Sequence, residues 1–208
     1  MKRTGGILAL LLLATVVSVL AFAPARIERN LNRVEPVTVV ADARATALHA
    51  SLFVADLHAD SLMWARDFLQ RGNRGHVDLP RLVEGNVALQ VLTTVTRSPH
   101  GLNYESNAAD ARDDITLLAL VQRWPPRTWG SLAERALYQA ERLDGFVARS
   151  QGRLRVIRNR ADLESLIAQR GAGAETVGVV LGTEGSHALD GKLESIARLH
   201  QAGFRIMG

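Results

Sequence analysis

Two stretches, NVALQVLTTVT (86–96), rich in β-branched residues, and TVGVVLG (176–182), strongly apolar, show no strict apolar–polar alternation. A strand with one wet face alternates apolar and polar residues, whereas a continuous apolar run this short reads as a strand covered on both faces, as helices cover a parallel sheet. Shorter strands are expected at about 52–57, at LRVIR (154–158) and at FRIM (204–207). Between them lie stretches of helical period. SLMWARDFLQ (61–70) sets Leu62, Ala65, Phe68 and Leu69 on one face, and DARDDITLLALVQRW (110–124) is stopped by Pro125 and Pro126. The stretch opening with SLAE carries Leu132, Ala136, Leu137, Ala140 and Leu143 on one side; Ser131 is placed to cap it, and Glu134 to complete a capping box. ADLESLIAQ (161–169) and KLESIARLHQ (192–201) supply two more helices. The alternation predicts an α/β fold with a parallel sheet, which a barrel or an open doubly wound sheet satisfies equally. About five strands are visible, and the chain ends at Gly208 just after an apolar one.

Lys2 and Arg3 precede an uncharged apolar run from Ile7 to Ala23. That is the charged and then hydrophobic order of an export signal, and the run approaches the roughly 20 residues of a membrane span. Ala23 and Ala25 offer a small-residue cleavage site before Arg26, and an uncleaved anchor is the alternative. Residues 1–25 are accordingly read as signal peptide or membrane anchor, 26–48 as a polar connector, and 49–208 as the globular part. Either option exports the chain, leaving it anchored on the extracytoplasmic side or secreted or periplasmic after cleavage. The net charge of +4 raises the question of nucleic acid. The arginines are dispersed among acids (Glu134, Arg135, Glu141, Arg142) and not clustered with aromatics, which reads as a solvated basic surface with no nucleic-acid partner. There is no cysteine, so thiolate metal sites, disulfides and a cysteine nucleophile are excluded.

Ligand sites of parallel sheets lie at the carboxyl ends of the strands. VADLHADSL (54–62) places His58 and Asp60 just past the first expected strand, two residues apart and so on one side of an extended chain. Imidazole and carboxylate are ligands that zinc accepts; the competing reading is Asp60 as a helix cap beside an exposed histidine. TVGVVLG runs into Thr183, Glu184, Gly185, Ser186 and His187, again a carboxylate and an imidazole at a strand end. An ionised carboxylate there is costly unless paired or metal-bound, and its two oxygens can bridge two cations, though Glu184 and Ser186 could equally cap the next helix. His49, His100, His200, Asp78 and Asp110 read as surface or capping residues. His76 reads as structural, with Asp78 and Pro80 starting a helix, and Trp64, Trp124 and Trp129 as packing.

VADLHADSL, GHVDLPRLVEGNVALQ (75–90) and GTEGSHALDGKLESIARLHQAGFRIMG (182–208) together resemble the membrane dipeptidase, or renal dipeptidase, family of zinc peptidases. The resemblance implies a (β/α)₈ barrel of the amidohydrolase kind, here truncated after about five strands, with two zinc ions per complete chain. It implies that His58 and Asp60 bind one zinc, that Glu184 bridges both as the catalytic carboxylate, and that His187 stands behind the ligands. Ser186 replaces a glycine usual in that motif. The remaining zinc and substrate residues of the family would lie beyond Gly208, so the chain as given is expected to be inactive and unable to close its apolar edge. The implied substrate is a dipeptide, the implied membrane contact runs through residues 7–23, and a homo-oligomer is allowed. The alternatives are another amidohydrolase-type enzyme acting on cyclic amides, lactones or phosphoesters, which more often shows H-x-H than the H-x-D seen here, and an exported barrel kept for binding alone.

Overall fold

The computed structural model describes residues 2–37, 39–106, 108 and 110–208. In chain order the elements are α1 (Lys2–Leu31), α2 (Ala43–Ser51), β1 (Val54–Ala59), α3 (Leu79–Glu84), β2 (Val87–Val95), α4 (Asp114–Val121), α5 (Leu132–Arg149), β3 (Leu154–Val156), α6 (Arg160–Gly171), β4 (Val177–Glu184), α7 (Glu194–Gln201) and β5 (Phe204–Met207). Every strand pairing is parallel. The two continuous apolar runs form β2 and β4, which lie side by side from Leu89 against Gly178 to Val95 against Glu184.

With β2 along one edge of β4, both β3 and β5 occupy the other edge. β3 pairs with Val177–Val179 and β5 with Leu181–Thr183. The five strands expected from the sequence are present, but they do not line up in chain order. β3 is a three-residue strip beside the amino end of β4, and at the carboxyl end the neighbours run β1, β2, β4, β5.

Leu92, Val179 and Leu181 of the sheet join Leu143 and Phe146 of α5 and Leu199 of α7 in one core. α5 buries Ala136, Ala140 and Leu143 as its periodicity requires. It also buries Arg135, which is 1% exposed and does not belong to a solvated face. That guanidinium donates to Asp113 Oδ2 (2.5 Å) and to the carbonyls of Thr96 (2.7 Å), Thr128 (2.8 Å) and Trp129 (3.2 Å), so the charge is matched where water is excluded. Burial alone would raise the pKa of Asp113, but hydrogen bonds from Arg135, the Ser98 and Ile115 amides and Thr116 hold it below the usual carboxylate range.

The helix expected over 61–70 does not form. Ser61–Met63 make one 3₁₀ turn, and the chain then runs irregularly to α3. The reason lies outside the stretch. Arg142 on α5 donates to the carbonyls of Leu62, Trp64 (2.6 Å) and Arg66 (3.2 Å). Gln122 donates to Met63 O (2.9 Å) and accepts from the Ala65 amide (2.8 Å). Groups that a helix would pair internally are satisfied from 57 to 80 residues away, so local period loses. Leu62, Trp64 and Phe68 are buried, whereas Ala65 is exposed. Asp78 caps α3, accepting from the Arg81 amide at 3.0 Å with Pro80 in the first turn, as expected.

Within the residues read as a connector, α1 continues through Pro24 to Leu31, and α2 spans 43–51 under a cap from Asp42. The stretch Gly5–Leu31 is long and apolar enough to cross a membrane, and none of its most apolar window is buried.

Ser131 caps α5 as predicted, accepting from the Glu134 amide at 3.1 Å. The Glu134 side chain does not complete a box; it pairs with Arg127 (3.1 Å) and Arg198 (2.6 Å). Asp190 takes its place from a distant turn, accepting from Ser131 Oγ (2.5 Å) and the amides of Leu132 (2.7 Å) and Ala133 (3.2 Å). Burial works to raise the Asp190 pKa, but these donors outweigh it and hold the carboxyl low. A depressed carboxyl stabilises the fold above its unfolded pKa, and that contribution is lost as pH falls through the folded value. Asp190→Ala should therefore cost about 1–2 kcal/mol at neutral pH, with the deficit shrinking below about pH 4. Urea unfolding of the intact protein at both pH values checks this, and an equal deficit at the two would contradict it.

Candidate metal centre

Because the strands are parallel, their carboxyl ends gather at one side of the sheet. Ala59 is paired with Leu92 and Val95 with Glu184, so the residue after β1 and the last residue of β4 both lie along the carboxyl half of β2. That register brings together His58, Asp60 and Glu184. His58 Nε2 stands 3.4 Å from Asp60 Oδ2 and 3.6 Å from Glu184 Oε2, and one donor atom from each of the three residues lies within 4.8 Å of the others.

The capping alternatives do not describe these side chains. Asp60 begins the turn Ser61–Met63 without bonding its amides, and the turn at Ser186–Leu189 starts at Gly185 without a side-chain cap. Asp60 Oδ1 instead accepts from Thr93 Oγ1 on β2 at 2.5 Å, leaving Oδ2 facing the imidazole. The His58 amide donates to Asp56 Oδ1 at 3.0 Å, which ties the ends of this short segment together.

Glu184 has its pKa raised, first by burial and then by the charge of Asp60, with His58 partly offsetting both. A carboxyl shifted up is penalised when ionised. Stability thus declines as pH climbs from the ordinary carboxylate range through the raised value, and a divalent cation between Asp60 and Glu184 would remove that penalty. One imidazole nitrogen and two carboxylates converging from separate strands form a donor set that suits zinc, with room for further ligands. The residues fit a metal.

A cleft of about 530 Å³ opens beside the cluster, lined by His58, Asp60, Ser61, Met63, His76 and Asn32 among others. His76, read from sequence as structural, thus faces the same space. His187 is exposed and outside the three-donor group; its ring packs on Gly185, where an added Cβ would meet Nδ1 at 2.7 Å. Gly185 also holds φ +80°, a conformation side chains resist. His100 pairs with Asp114 at 3.0 Å in the loop after β2, away from the cluster.

Thr93 escaped the sequence reading because it sits inside an apolar run. The trace in the residues is the pair Thr93–Thr94 at the carboxyl half of a strand whose other polar residue is Gln90. A donor that fixes a metal-binding carboxylate typically matters about 10- to 100-fold in affinity, so Thr93→Val should weaken zinc binding by about tenfold or more. Competition against a chelator, using the intact protein, measures it; unchanged affinity would remove Thr93 from this role.

With this geometry established, comparison with known proteins is informative. Residues 42–208 match the model of the family described as membrane dipeptidase (peptidase family M19). Among curated proteins none matches. Of solved structures, a dipeptidase AC described as a metallopeptidase of family M19 shares 23% identity at a TM-score of 0.53, over 76% of this chain and 42% of its own. A metallopeptidase from Rhodobacter sphaeroides, liganded with a phosphinate mimic of the dipeptide L-Ala-D-Ala, shares 24% at 0.53, over 76% and 45%. The probable dipeptidase PvdM from Pseudomonas aeruginosa shares 14% at 0.54, over 79% and 36%. The chain therefore spans less than half the length of each of these structures, and what it has in common with them is the fold. The family match covers most of the chain and includes both strand ends that carry the cluster; the chain belongs to the membrane dipeptidase family of peptidases.

Proposed function

We propose that this protein is a zinc-dependent dipeptidase with a binuclear metal centre, in which His58, Asp60 and Glu184 are ligands and Glu184 is shared between two ions. The observation that carries the reading is the convergence of one imidazole and two carboxylates at the carboxyl ends of parallel strands, in a chain of the membrane dipeptidase family. Metal bound here supplies Lewis acidity toward a peptide carbonyl and lowers the pKa of water toward neutrality.

This chain's own residues do the rest. Thr93 holds Asp60 in one rotamer, so its free oxygen is presented without reorganisation. His58, anchored through its amide by Asp56, presents Nε2 between the two carboxylates. The cleft lined by Ser61, Met63 and His76 offers a wall on which a small substrate is oriented. The dipeptide substrate is supported by the family and by the mimic bound to the Rhodobacter sphaeroides enzyme. His58→Ala in the intact protein should lower zinc content by about one ion per chain and abolish most dipeptide hydrolysis. Elemental analysis with an L-Ala-D-Ala assay tests this, and retained zinc with retained turnover would refute it.

The apolar half of α1 is proposed as export signal or membrane anchor, placing residues 49–208 outside the cytoplasm. Its exposed apolar face supports this reading. An uncleaved chain should sediment with membranes and be released by detergent but not by salt. Uncleaved protein recovered from the soluble cytosolic fraction would overturn the assignment.

A further inference from the structure

The reaction proposed above makes no use of Glu28, yet this carboxylate is 3% exposed. It lies near the end of α1, just past the apolar run. Its Oε1 is 2.7 Å from Arg66 Nε and its Oε2 is 3.0 Å from Arg74 Nε, and the two arginine side chains are themselves mostly covered. Taking one carboxylate and two guanidinium groups out of water is costly, and their close ion pairs offset part of that cost. A freely hanging leader would have no reason to bury a glutamate.

Glu28 is one of several contacts on the same helix face. Pro24 has no N–H, so the carbonyl of Leu20 loses its partner within the helix; Arg123 at the end of α4 donates to that carbonyl at 3.3 Å. Four residues beyond Glu28, the Asn32 carbonyl accepts from the Gly75 amide at 2.6 Å. Positions 20, 24 and 28 recur at the four-residue helical spacing, and Asn32 follows just past the end of the helix. Beside that face, Ile27 and Leu31 border an apolar pocket with Met63, Trp64, Ile115 and Leu118.

What this face grips is the loop between β1 and α3. Arg66, Arg74 and Gly75 all belong to it, and the same loop supplies Ser61, Met63 and His76 to the cleft beside His58 and Asp60. Leu31 and Asn32 line that cleft directly. We propose that residues 27–32 are a docked wall of the candidate active-site cleft, and that Glu28 is its positioning residue, holding the cleft loop in place through Arg66 and Arg74. The docking stands on these contacts alone; the effect on substrate rests on the dipeptidase reading.

Arg71 sits in this loop between the two clamped arginines, and its half-exposed side chain provides a trypsin site. Glu28→Gln in the intact protein should speed trypsin cleavage after Arg71 by about tenfold, because proteolysis follows the population of the opened loop. It should also raise KM for a dipeptide by about threefold or more while kcat and zinc content stay within about twofold, the split expected when ground-state positioning is lost. Glu35→Gln, at an exposed pair with Arg33, is the control and should change none of these. If Glu28→Gln does not fold, Arg74→Gln is measured in the same way, since it leaves the Glu28–Arg66 pair in place. Unchanged cleavage after Arg71 overturns the docking, and faster cleavage with unchanged KM overturns the wall. A wild type that hydrolyses no dipeptide, with cleavage still accelerated in the variant, upholds the docking and sinks the dipeptidase reading instead.

Discussion

β4 is the strand on which the described structure depends, because three of the other four strands pair with it. Val177, Val179 and Leu181 on one face are each 1% exposed or less, and Gly178 and Gly182 on the other face are buried as well. Two glycines make that crowding feasible. A Cβ at Gly178 would come within 2.4 Å of Leu166 Cδ2 on α6, and one at Gly182 within 3.3 Å of Ile206 Cβ on β5. The first substitution would force the buried Leu166 side chain to move, whereas the second would ask only a few tenths of an ångström of β5. The same strand, so tightly gripped, delivers Glu184 to a fixed height at its end. The position of Glu184 in the candidate metal cluster thus depends on close packing of glycine and valine some residues earlier.

Much of this was legible in the residues. β2 announces itself by its β-branched and aliphatic residues and β4 by its apolar run, the composition that a strand covered by helices carries. His58, Asp60 and Glu184 stand out for the complementary reason, as ionisable groups where an apolar run stops. The strand LRVIR was also legible, but its place was not. Nothing in three residues records that they pair along the amino end of β4 and leave its carboxyl end to β5.

Other features were hidden because their partners are remote in sequence. SLMWARDFLQ has a helical period, and the structure denies it a helix because Arg142 and Gln122 claim its backbone groups. Arg135 and Arg142 look like members of a dispersed basic surface. Their carbonyl partners, 80 residues away at the farthest, become visible only once the chain is folded. The Asp190 cap on α5 is likewise 59 residues from Ser131. A capping box within four residues is a sequence motif, whereas a cap donated by a distant turn is a tertiary contact that happens to do the same job.

The buried guanidinium groups divide into two kinds, and the difference bears on how the cleft is built. Arg135 has a carboxylate partner in Asp113 at 2.5 Å and three carbonyls besides, so its charge is matched. Arg142, which is half-buried, has carbonyls and the face of Phe146 as its partners, and burial lowers its pKa, with Tyr138 opposing that shift. A guanidinium without a matched anion is tolerable when several carbonyl dipoles point at it, and it then serves as a strut and not as half of a salt bridge. Arg142 is such a strut for the first turns of the loop after Asp60, from Leu62 to Arg66. Further along the same loop the load passes to Arg66 and Arg74, whose shared anion comes from α1. The loop beside the candidate cleft is therefore held both by a cation on α5 and by an anion on the amino-terminal helix. It has little regular structure of its own with which to stand without either.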